Sequence, residues 1–116
     1  MPSFEPGDVI KVPFPYINRA TRQRRPALVV STIDIEQAHA LLWVLMITSA
    51  ENRSWSGDVA VDDLSDAGLP APSVVRTAKI ATIDANDAER LGKVSAKVRR
   101  EVQRHVSKTL AIRGVS

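Results

Sequence analysis

Residues 19–26, Arg-Ala-Thr-Arg-Gln-Arg-Arg-Pro, place four arginines within seven positions and lead straight into the apolar run Ala27-Leu28-Val29-Val30. A guanidinium is planar, permanently charged and presents a fork of donors that matches a phosphate. Arg25 differs from Arg19, Arg22 and Arg24, because Pro26 excludes the α region for the residue before it and holds it extended. Its side chain is thereby aimed, by a fixed backbone, at the mouth of a strand. Other polar groups gather at strand ends: Thr48 and Ser49 close the apolar run 41–48, and Arg76, Thr77 and Lys79 follow Pro72. In a sheet bent enough for strand starts and ends to converge, Arg25, Thr48 and Arg76 would surround one phosphate. Taken one at a time, the same residues also fit a surface loop beside a proline and ordinary strand threonines.

Other chemistries find less support. The chain has no cysteine, which removes disulfides, thiolate zinc sites and thiol nucleophiles together. His39 and His105 lie far apart, each without a second ligand at helical spacing, and the neighbouring carboxylates of Asp62 and Asp63 would point to opposite faces of a strand. No metal and no cofactor is therefore expected. A Gly-x-Ser-x-Gly elbow and a glycine-rich phosphate loop are both absent. The few aromatics, Phe4, Phe14, Tyr16, Trp43 and Trp55, argue against a base-stacking platform of the kind single-strand binders use.

The elements that must position these groups read as follows. At 116 residues the chain is expected to be one domain, 1–116, with a single core. Gly7-Asp8 opens a strand over 9–14 in which Pro13 marks either an edge or an early end. Strands follow at 27–31 and 41–48, both apolar on two faces and hence central. Residues 33–40 fit either an irregular crossing or half of a long hairpin. A short strand at 59–61, at most one helical turn at 63–68, a long strand at 73–83 and a short one at 90–94 complete the sheet. Ser95 then caps a closing helix with Val98, Val102, Val106 and Leu110 in one stripe. The expectation is a mainly β, small, antiparallel, barrel-like (SH3-like) domain with a C-terminal helix. The formal charge of +3 is modest, but basic residues collect at 19–25 and 97–108, so a polyanionic partner is plausible. The amino terminus has no basic-then-apolar leader and the longest apolar run, 40–47, cannot span a bilayer. A cytoplasmic protein with no membrane partner is expected.

Three segments together resemble the MazF/PemK family of toxin–antitoxin toxins. They are Gly7-Asp8-Val9-Ile10-Lys11-Val12 with Arg25-Pro26-Ala27-Leu28-Val29-Val30-Ser31, the strand ending Ile47-Thr48-Ser49, and Val74 to Asp84 followed by Leu91-Gly92-Lys93-Val94-Ser95. The resemblance implies a homodimeric, metal-independent endoribonuclease that cleaves single-stranded RNA (mRNA) sequence-selectively and is inhibited by a cognate antitoxin with an acidic tail. It carries catalytic roles onto Arg25, Thr48 and Arg76, and leaves Arg19, Arg22, Arg24, Ser49, Thr77 and Lys79 as RNA contacts. Where some relatives carry a carboxylate two residues after the late-strand arginine, this chain has Ala78, so no general base is named. Two alternatives remain: a gyrase poison on the same fold, of the CcdB type, acting through the end of the helix at 110–116, or an SH3-like module that docks an acidic protein segment.

Overall fold

The computed structural model describes residues 3–13 and 24–112. Its strands are β1 (Asp8–Pro13), β2 (Arg24–Val29), β3 (Leu41–Ser49), β4 (Asp58–Ala60), β5 (Ser73–Asp84) and β6 (Glu89–Lys93); its helices are α1 (Ile33–His39), α2 (Leu64–Ala67) and α3 (Ala96–Thr109). The strands form one antiparallel sheet in the order β4-β5-β3-β2-β1-β6, so β4 and β6 are edges and the sheet is not closed into a barrel. Register shifts at Val9/Ile10 and at Leu45/Met46 interrupt the ladders, and such irregularities bend and twist a strand.

Both faces of the sheet are buried, which is why β2 and β3 read as continuous apolar runs. On one face Ile10, Val12, Ala27, Val29, Val44 and Met46 pack with Phe4. On the other, Val9, Leu28, Leu45, Ile47 and Val75 pack beneath Val98 and Val102 of α3. Ser95 caps α3 by accepting from the Val98 amide at 3.2 Å, as its type and position predict. The apolar stripe of α3 runs out early: Val106 is half-buried and Leu110 is 55% exposed.

Two ambiguous segments resolve. Residues 33–39 are helical, and Ala40 ends the helix in the left-handed region (φ 57), its amide donating to Glu36 O at 2.7 Å. Strand β1 is internal, flanked by β2 and β6, and Pro13 lies where only β2 still pairs, so the proline marks an early end.

Candidate active site

Strand register decides which polar side chains meet. Ala27 lies opposite Met46, and the same β2–β3 register carried two residues further sets Arg25 against Thr48. On the other side of β3, Thr48 lies opposite Val74 and Met46 opposite Arg76, while β4 sets Asp58 opposite Arg76. Opposed residues share a face, as do residues two apart on one strand. Arg25, Thr48, Arg76 and Asp58 therefore occupy one face of the sheet, just beyond Met46. Arg25 and Thr48, 23 positions apart in the chain, border one cavity of about 390 Å³. Lys11, Ser49 and Asn52 border it too, and the chain from Gly68 to Ser73 supplies a further wall.

Thr48 is buried, and its hydroxyl is oriented by a residue that its sequence context did not single out. Asn52 Nδ2 donates to Thr48 Oγ1 at 2.6 Å. A hydroxyl has one hydrogen to give and two lone pairs. With one lone pair taken by Asn52, the hydrogen stays available to donate, and no protein acceptor takes it among the described residues. Arg25 is half-buried with its Nε enclosed by protein, and it borders the cavity. Ser49 is exposed and accepts from the Glu51 amide at 3.2 Å, which tightens the turn that brings Asn52 back over Thr48.

Arg76 lies one cross-strand row away, with its guanidinium engaged by the loop between β3 and β4. Its Nε and Nη2 donate to Asp58 at 3.3 and 3.1 Å, and Nη2 also donates to the Arg53 carbonyl at 2.8 Å. The Trp55 ring lies over it, with the guanidinium carbon 4.3 Å from the ring centroid. Thr77, also buried, donates to the Gly57 carbonyl at 2.8 Å. Arg24 is drawn toward β6, donating to the carbonyls of Lys11 and Asp87 at 3.0 and 3.1 Å, with Glu89 3.7 Å away. Lys79 is half-buried further along β5. Arg19 and Arg22 lie outside the described residues.

Asp58 and Trp55 escape a reading of local sequence because they meet Arg76 across strands, and Asn52 because it reaches Thr48 only through a turn. The one legible signal is that Asn52 follows a strand-ending threonine by four residues. Beside the cavity wall, Asp66 has its carboxyl raised above the ordinary value by its hydrogen bond with Asp63 and then by the Asp63 charge. Among the described residues no group of three or more histidines, aspartates or glutamates could hold a metal ion, and no helix is long and apolar enough to cross a membrane.

The strand register sets Arg25 against Thr48 at one end of the sheet, and residues 5–110 match the family of PemK-like, MazF-like toxins of type II toxin–antitoxin systems. The chain belongs to that family. Solved structures share the fold. MazF from Deinococcus radiodurans is 22% identical with a TM-score of 0.78, covering 97% of this chain and all of that one. MazF in the MazE–MazF complex of the same organism is 22% identical with a TM-score of 0.74, over the whole of both chains. An endoribonuclease in complex with its cognate antitoxin from a mycobacterial species is 17% identical with a TM-score of 0.72, over 96% of each. No curated protein matches the chain at a significant level.

Proposed function

We propose that this toxin is a metal-independent endoribonuclease that cleaves single-stranded RNA by attack of the 2′-hydroxyl on the adjacent phosphate. The observation that carries the reading is Arg25 opposed to Thr48 at one cavity, with Asn52 holding the threonine so that its hydroxyl can donate. In this reaction the substrate brings its own nucleophile. The 2′-oxygen bonds to phosphorus as the P–O5′ bond breaks, leaving a 2′,3′-cyclic phosphate and a 5′-hydroxyl. The 2′-proton passes to water, and the departing 5′-oxygen takes a proton from water.

What the protein supplies is orientation and fixed donors for the charge that develops on the non-bridging oxygens. Arg25 grips them through its fork and Thr48 gives one further hydrogen bond. Arginine stays protonated, so it stabilises charge and does not act as the base. Arg76 serves the site by seating the β3–β4 loop from which Asn52 reaches Thr48.

The same reading includes a homodimer and an antitoxin whose acidic tail competes for the arginines. Trp43 and Ile80, 45% and 49% exposed, share a sheet face beyond the reach of Val98 and Val102, and offer the apolar surface that self-association needs. Sedimentation at micromolar concentration tests the dimer.

The activity is tested by incubating purified protein with a long single-stranded RNA in EDTA. Discrete fragments with cyclic phosphate ends are expected. Intact RNA beside demonstrably folded protein would overturn the reading, and growth arrest that then depended on residues after Leu110 would favour gyrase poisoning.

A further inference from the structure

Trp55 is 42% exposed in a mostly polar loop, although burying an indole is worth more than leaving it wet. The loop nevertheless holds it firmly. Its amide donates to Asp58 Oδ2 at 2.9 Å, and its carbonyl accepts from the Asp58 amide at 3.1 Å. The same carboxylate fixes Arg76, whose guanidinium supports one face of the ring. The ring is therefore pre-set by an ion pair that is itself buried, with side chains only 10% and 9% exposed. Its location matters as much. Arg76 lies two residues along β5 from Val74, the partner of Thr48, and such diagonal neighbours stand about 7–8 Å apart. Asn52, three positions before Trp55, lines the cavity.

We propose that Trp55 stacks on an unpaired RNA base next to the scissile phosphate and so sets part of the sequence preference. This rests on the ribonuclease reading. A cation beneath the ring draws its electron density inward and leaves the outer face electron-poor, which favours an electron-rich purine over a pyrimidine. Stacking needs no extended row of aromatics here, because one ring beside the cleaved bond orients one base.

The probe is a short single-stranded RNA containing the mapped cut site, with 2′-deoxyribose there so that it cannot be cleaved. In a Trp43→Phe background Trp55 is the remaining indole, and its emission should quench as this RNA binds. Replacing the base beside the cut by an abasic residue should abolish the quenching and weaken binding about 10-fold. On cleavable RNA, Trp55→Ala should raise KM about 10-fold with a smaller change in kcat, and Trp55→Phe should restore most of the loss. Should Trp55→Ala fail to fold, Trp55→Phe and the abasic probe decide alone. Unquenched emission on binding, or wild-type KM in a folded Trp55→Ala, would overturn the inference while leaving the nuclease intact. Emission that shifts only with protein concentration would also overturn it, assigning the ring to self-association. Wild-type protein that cuts no RNA would instead remove the reading on which the inference rests.

Discussion

Thr48 and Asn52 act as a unit, and each should respond differently to substitution. Thr48→Val keeps the branched shape in the strand and removes the hydroxyl, so stability should change little while kcat falls about 10²-fold, the scale for losing one transition-state donor. Asn52→Ala leaves the hydroxyl but frees its rotation. It should lower kcat about 5- to 10-fold, in keeping with one lost hydrogen bond, with KM nearly unchanged. Single-turnover kinetics with saturating RNA separate the two. At this scale the sequence was partly legible. Pro26 after Arg25 and the strand-ending position of Thr48 mark both residues, but Arg25 faces Thr48 only through a register that no local pattern encodes. Arg24, equally basic, is turned to Lys11 and Asp87 by contacts across strands.

Among the elements, the β3–β4 loop depends on a buried ion pair and α3 depends on its cap. Removing one partner of a buried pair strands the other charge, so Arg76→Ala should cost about 3–5 kcal/mol by urea unfolding, and activity should fall with the loop. Ser95→Ala should cost about 1 kcal/mol with activity intact, because Ser95 does not border the cavity. The closing helix and its cap were legible from Ser95 and the valine spacing, except that Leu110, read into the same stripe, is the exposed residue at the helix end. The segment 33–40 was not, because seven residues give a short, wholly non-buried helix little periodicity to display. Arg76 illustrates the harder case, since its partner Asp58 is 18 positions upstream on an edge strand.

Across the whole molecule, the cavity wall depends on a close approach between α2 and β6. A Cβ on Gly92 would stand 2.2 Å from the Asp66 carbonyl oxygen, and one on Gly68 would stand 2.2 Å from that of Leu91. Gly92→Ala must push these backbones apart, so it should destabilise by about 2 kcal/mol or more and loosen the wall, seen as a lowered urea midpoint and weaker RNA binding. Strand order and the open sheet follow from pairings 11 or more residues apart, which explains why element types were easier to read than their closure. The two buried faces of β2 and β3, by contrast, were visible directly as unbroken apolar runs.

The most direct measurement is the single-turnover cleavage rate, in EDTA, of wild type, Arg25→Ala and Thr48→Val on one single-stranded RNA, with folding of each verified by thermal unfolding. The account predicts cleavage by wild type and losses of about 10²-fold or more in both variants at saturating RNA. A folded variant of either residue that cuts at the wild-type rate would contradict it.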